Sequence, residues 1–181
     1  MNTTIGNTQE TLIAYTAGLF EGEGSVMLSK INYKQKFIQY RAAIQFTNTE
    51  PELCQVFIDT CKKLDIHLHI HTDIRKNKPN SKTCYQISIT RLEDRVKFIE
   101  FFSPLMHGKK RREMDIVLKF SKRRLELYKT FKMKHGEDGR FKSGCKTSFT
   151  AQDALDYLEY KKIKDSSETT RKIPHDFGAK I

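Results

Sequence analysis

Apolar positions along the chain alternate between helical and strand spacing, and the changes of period mark out the elements. Over residues 11–21, Leu12, Tyr15 and Leu19 fall on one stripe, while Ala14, Ala17 and Gly18 form a second surface of small side chains. That pattern predicts a helix ended by Gly22 and Gly24. Residues 25–31 and 37–47 then alternate with period two. Val26, Leu28, Tyr40, Ala42, Ile44 and Phe46 share one face, and Met27, Ser29, Gln39, Arg41 and Gln45 share the other, so one face is core and the other wet. Residues 50–64 read as a helix with Pro51 in its first turn and Leu53, Val56, Phe57 and Leu64 at helical spacing. Two more strands, 67–75 and 84–90, flank a polar loop holding Pro79. Helical spacing returns over 93–102 and, past Pro104 and Gly108, over 111–129. The order α-β-β-α-β-β-α predicts an α+β fold, one antiparallel sheet covered by helices on one face.

The C-terminal part reads differently. A basic, glycine-rich stretch over 136–144 precedes a short helix, 151–163, where Thr150 and Asp153 have capping-box spacing. The last 18 residues form a charged tail expected to be partly disordered. We therefore divide the chain into a main domain, 1–135, and a C-terminal loop, short helix and tail, 136–181.

Charge narrows the partner. The 181 residues include 33 Lys and Arg against 22 Asp and Glu, a net charge of +11. Basic residues are spread over strands and loops, including Lys34, Arg41, Arg75 and Lys82, rather than along one amphipathic helix, which favours a nucleic-acid groove over a membrane surface. No apolar run approaches the roughly 20 residues of a membrane span. The start carries no pattern of a secretion or transit signal, so an intracellular location is expected. Cys54, Cys61, Cys84 and Cys145 lack any C-x-x-C pair and read as free thiols, Cys54 and Cys61 as core residues.

The segment with the most chemical content is residues 15–25, Y-T-A-G-L-F-E-G-E-G-S, in which Glu21 and Glu23 are separated by one glycine at a helix end. Carboxylate and carbonyl oxygens there suit Mg²⁺, a hard ion that usually keeps waters and takes phosphate oxygens for its remaining positions. The string from Thr16 to Gly24 resembles the signature of the LAGLIDADG homing endonucleases, with Glu-Gly-Glu in place of Asp-Ala-Asp, and the elements that follow match that family's repeating unit, a saddle-shaped antiparallel sheet under helices. No second copy of the motif is present, since the acids and glycines at 136–139 follow no small-residue helix.

A single-motif member of that family implies a homodimer that cuts a long, partly palindromic DNA duplex in intron homing. Its motif helices would pack on each other at the axis through Ala14, Ala17, Gly18 and Glu21. The resemblance makes Glu23 the metal-binding carboxylate with the Gly22 carbonyl beside it, Asn48 the residue that positions the nucleophilic water, and Lys109 the basic residue near the scissile phosphate, a place that a one-residue slip would give to Lys110. It implies Mg²⁺ as cofactor, with Mn²⁺ or Ca²⁺ able to replace it for binding. Members of the family also act as maturases on their own intron RNA or as non-catalytic DNA-binding regulators, and an organelle location follows if the gene is organelle-encoded.

His67, His69 and His71 alternate and are expected on one strand face, continuous with Gln39, Arg41, Gln45, Gln86 and Ser88. A zinc site usually draws ligands from more than one element, so contact with bases or phosphates is the reading taken. A strand ribbon fits the roughly 12 Å major groove, where Arg, Gln and His can bond purine edges. The DNA-contacting set is then Met27, Ser29, Lys34, Gln39, Arg41, Gln45, Thr47, His69, His71, Arg75, Lys82, Gln86 and Ser88.

Overall fold

In the computed structural model, residues 8–33, 37–73, 82–132 and 150–170 are described. Lys34, Arg75, Cys145 and the glycine-rich stretch 136–144 lie outside them. The elements are α1 (Thr8–Glu23), β1 (Gly24–Tyr33), β2 (Phe37–Asn48), α2 (Pro51–Lys63), β3 (His69–Asp73), β4 (Cys84–Ile89), α3 (Leu92–Phe102), a 3₁₀ turn (Ser103–Leu105), α4 (Gly108–Lys132) and α5 (Ala151–Thr170). The four strands form one antiparallel sheet in the order β1-β2-β4-β3.

The period-two reading of the first hairpin holds residue for residue. Val26 faces Ile44 and Leu28 faces Ala42 across the β1–β2 ladder, and all four are buried together with Tyr40 and Phe46. Helices cover that face with aromatic rings. Phe46 stacks on Phe57 of α2 at 4.6 Å, Phe20 of α1 meets Phe98 of α3 edge-on at 5.0 Å, and Phe98 stacks on Phe102 at 4.4 Å. Such pairs add about 0.5–1.5 kcal/mol each beyond the area they bury. Thr60 donates its hydroxyl proton to the Val56 carbonyl, so the buried Thr16 hydroxyl must donate to Thr60, at 2.8 Å, tying α1 to α2. Cys54 and Cys61 are buried in this core, and Cys54, Cys61 and Cys84 are free thiols.

β4 pairs only with Ile44–Asn48 of β2, leaving the other half of β2 without a strand on that side. Arg95 fills the gap. It is 3% exposed and donates to the carbonyls of Ala42 and Thr90 and to the Ser121 hydroxyl. Burial, with a smaller push from Arg41, brings its guanidinium down to about 10.

Four elements differ from expectation. α1 runs on through Gly22 to Glu23 and passes directly into β1, and Gly108 is the only described glycine with positive φ, at 52°. β3 starts at His69, so His67 is off the strand and pairs with the buried Asp94 at 3.4 Å. α4 starts at Gly108 instead of 111, which puts both Lys109 and Lys110 in its first turn. Finally, α5 continues past 163 to Thr170, so the first part of the expected tail is helical.

α5 is also anchored. The Thr150 hydroxyl and Asp153 carboxylate exchange bonds with each other's backbone N–H, as the capping-box spacing predicts. Arg123 of α4 bonds Asp153 at 2.5 Å and Asp156 at 2.7 Å. The buried Tyr160 hydroxyl donates to the Val26 carbonyl, and Tyr157 packs on Tyr40 at 5.6 Å. β1 is an edge strand of the sheet, and α5 satisfies one of the carbonyls a lone edge would leave open. No helix among the described residues is long and apolar enough to cross a membrane.

Candidate nucleic-acid interface and its acidic centre

The sheet face away from the helices carries the polar positions, and strand register sorts them into rows. Ser25, Gln45, Ser88 and His69 form one row across all four strands; Thr47, Gln86 and His71 form the next; Ser29 faces Arg41, and Gln39 faces Ile31. Ser29, Gln39, Arg41, His69 and His71 are exposed, while Met27, Gln45, Thr47, Gln86 and Ser88 are half-buried. The Gln45 amide donates to the Thr47 hydroxyl at 3.0 Å, which orients both. Ser25 belongs to this face although the residue pattern alone left it unassigned, and its partner Gln45 is the signal that places it. Lys82 stands where β4 begins, exposed and paired with Glu50 at 2.7 Å. That contact holds the Glu50 carboxyl below, and the Lys82 ammonium above, their ordinary values.

At the rim of this face α1 ends in Glu21-Gly22-Glu23. Gly22 and Glu23 are exposed, and a Cβ added at Gly22 would meet nothing within 4 Å. Among the described residues no three His, Cys, Asp or Glu side chains converge as a metal cluster. Asn48, at the end of β2, accepts the Glu50 N–H on Oδ1 at 2.9 Å, so its amide is oriented by the turn into α2 and its Nδ2 protons remain as donors.

Lys109 and Lys110, neighbours in the first turn of α4, make different contacts. The Lys109 ammonium donates to the Lys164 carbonyl of α5 at 3.3 Å and lies 3.8 Å from the buried Glu113. The Lys110 ammonium reaches back to α1 and donates to the carbonyls of Phe20, Glu21 and Gly24 at 2.7, 2.6 and 2.7 Å. Burial lowers its pKa, opposed by Glu21, Glu113 and Glu23. Glu21 returns the contact, accepting the His107 N–H at 3.2 Å just ahead of α4. The motif's first acid thus has a structural partner. These contacts explain why α1 needs no left-handed glycine at its end: Lys110 takes carbonyls that such a turn would otherwise satisfy.

The small-residue surface of α1 is partly rearranged. Ala14 and Gly18 are exposed, with Tyr15 beside them at 51% exposure, whereas Ala17 is 4% exposed inside its own core. Ala17 is therefore not on the outward face. The inward stripe is Thr16, Ala17 and Phe20, flanked by Ile13 and Leu19, because packing on α2 turns Thr16 towards Thr60 and Tyr15 away.

The model of a family described as LAGLIDADG-like domain matches residues 10–102. Among solved structures, the group I intron-encoded homing endonuclease I-CeuI complexed with DNA aligns with TM-score 0.51 and 13% identity, covering 88% of this chain and 79% of that one. The homing endonuclease I-CvuI, in complex with its target in the presence of Ca, aligns with TM-score 0.50 and 14% identity, covering 87% and 97%. The I-LtrWI LAGLIDADG homing endonuclease bound to target DNA aligns with TM-score 0.50 and 17% identity, covering 82% of this chain and 49% of its own. At these identities the likeness is one of fold. No curated protein matches.

Proposed function

The chain belongs to the LAGLIDADG-like domain family, and from that premise we propose that it is a site-specific double-stranded DNA endonuclease, working as a homodimer with Mg²⁺. The observation that carries this reading is a juxtaposition. One helix presents Ala14 and Gly18 outward and ends in an exposed carboxylate, Glu23, at the rim of a sheet face whose polar side chains run in rows across four strands. Two copies related through that helix would bring two Glu23 side chains together and extend the polar face across two half-sites. DNA is the named partner in the complexes of I-CeuI and I-LtrWI, and I-CvuI is in complex with its target.

The donors fit a hard divalent ion. One chain offers a single exposed carboxylate with the Gly22 carbonyl beside it, too few for a metal cage of its own. Mg²⁺ is typically held by one or two carboxylates, waters and substrate phosphates, which a shared site between two chains and DNA would supply. When bound, such an ion lowers the pKa of a coordinated water and neutralises charge building on the phosphate. Glu23 would hold it. Asn48, its amide fixed by Glu50, would orient the attacking water through Nδ2. Lys109 would stabilise charge on the phosphate, the role the motif resemblance gives it, while Lys110 holds three backbone carbonyls. Arg41, Gln39, Gln45 and Gln86 would read bases, with Lys82 on the backbone. Lys34 and Arg75, outside the described residues, would add further DNA contacts.

Incubating the protein and Mg²⁺ with a randomised duplex library, then sequencing the cut ends, tests this directly. A partly palindromic consensus is expected, and Glu23→Gln should bind the same site without cutting it, because the amide keeps the shape and loses the anionic ligand. Wild-type cleavage by Glu23→Gln would remove Glu23 from the centre. Specific binding without cleavage by wild type would favour a DNA-binding regulator, and binding to intron RNA alone a maturase.

A further inference from the structure

The geometry points to Lys110 as a positioning residue: its ammonium holds the carbonyls of Phe20, Glu21 and Gly24 and so fixes the short backbone that carries Glu23. The inference rests on the reading of Glu23 as the metal-binding carboxylate. A lysine ammonium has three protons, and three oxygens lie within 2.7 Å of this one, so its donors are saturated by the protein. Two of those oxygens, on Glu21 and Gly24, bracket Gly22 and Glu23 in the chain.

That bracket matters because Glu23 stands between two glycines, the residue type with the most backbone freedom to lose. Gly24 has to be glycine, since a Cβ there would come within 2.2 Å of the Phe20 ring. On the Gly24 side of the carboxylate that looseness is therefore a necessity. One cation gripping both flanks removes that looseness, and its charge sits at the carbonyl end of α1, where the helix dipole favours it. The grip is reciprocal: Glu21 accepts the His107 N–H at the opposite, amide-rich start of α4. The ends of α1 and α4 are thus locked to each other by side chains of opposite sign.

The wild-type protein tests this without DNA. With ¹⁵N-labelled lysine and ¹³C-labelled carbonyls, the Lys110 ammonium should show slow proton exchange and hydrogen-bond couplings to Phe20, Glu21 and Gly24. An ammonium exchanging as fast as a surface lysine, with no coupling, overturns the assignment. Lys110→Met keeps the length without donors, and Lys110→Arg keeps the charge in a planar fork that cannot converge on three carbonyls. In both, amide exchange at residues 21–25 should quicken by about tenfold or more.

On the duplex that wild type cuts, both variants should lose about 100-fold in kcat with DNA affinity unchanged, as expected for a displaced reactive group. Full kcat in Lys110→Arg would show that charge alone matters, and would overturn the clamp. A wild type that cuts no duplex refutes the proposed function, while the couplings and exchange rates still decide whether Lys110 fixes this segment.

Discussion

Gly18 and Gly24 belong to one motif, yet a side chain should have opposite consequences at the two. A Cβ at Gly24 would lie 2.2, 2.4 and 2.5 Å from three atoms of the Phe20 ring. That ring is fully buried and held by Phe98 at 5.0 Å and Phe57 at 6.2 Å, so it has nowhere to withdraw. Overpacking of this kind costs about 1–3 kcal/mol, and the rigid ring puts Gly24→Ala near the top of that range. For a chain of this size the corresponding fall in Tm is about 6 to 12 °C.

At Gly18 a Cβ meets nothing within 4 Å in a single chain, and the position is helical and exposed. Gly18→Ala should therefore stabilise the monomer by about 0.8–1 kcal/mol through helix propensity. In a homodimer packed through α1, the same methyl appears twice at the axis and pushes the helices apart. Thermal melts at concentrations below and above dimerisation, together with sedimentation over the same range, separate the two effects. The expected result is a higher Tm for dilute Gly18→Ala with a weaker dimer, and a monomer for Gly18→Leu. A Gly18→Leu protein sedimenting as an unchanged dimer would remove Gly18 from the interface. A wild type that stays monomeric would remove the homodimer itself.

Further outcomes follow from residues elsewhere. Arg41→Ala should relax preference at one base pair in each half-site at a cost of about 1–3 kcal/mol, whereas Lys82→Ala should weaken binding evenly and reduce the salt slope by about one; identical site profiles for wild type and Arg41→Ala would refute the groove assignment. Tyr160→Phe leaves the Val26 carbonyl without its donor and should cost about 1–3 kcal/mol in urea unfolding with no change in m. Burial, with Glu113 adding to it, raises the Tyr160 phenol above its ordinary 10.0. Wild type should therefore lose stability as pH rises past that value, and Tyr160→Phe should lose less; equal losses would contradict the buried phenol. The Cys61 thiol is pushed up to about 12 by burial, so alkylation of native protein at pH 8 should spare it, and labelling as fast as in urea would contradict its place in the core.

The element order, the two faces of β1 and β2, the buried cysteines of α2 and the Thr150–Asp153 cap were all legible in the chain, because each depends on a repeat or spacing within a few residues. Period-two alternation in a strand is local, and Val26, Leu28, Ala42 and Ile44 meet the core whatever else the fold does. The acidic centre was legible only in part. Gly22 and Gly24 signal a helix stop, yet α1 continues to Glu23 because the carbonyls there are met by Lys110, 86 residues beyond Gly24. Nothing near Gly24 announces that partner. The division of labour between Lys109 and Lys110 likewise depends on where α4 begins, since adjacent residues of a helix point about 100° apart. Ala17 turns inward because Thr16 finds Thr60 on another helix, and His67 leaves the strand for Asp94 on α3. α5 outlasts its expected end, and just beyond that end Lys164 is held by Lys109 at its carbonyl and by Glu113 at its ammonium. Periodicity within an element is set by backbone geometry and can be read along the chain. Which end of one helix meets which side chain of another is set by packing between residues far apart in it, and only the folded molecule decides that.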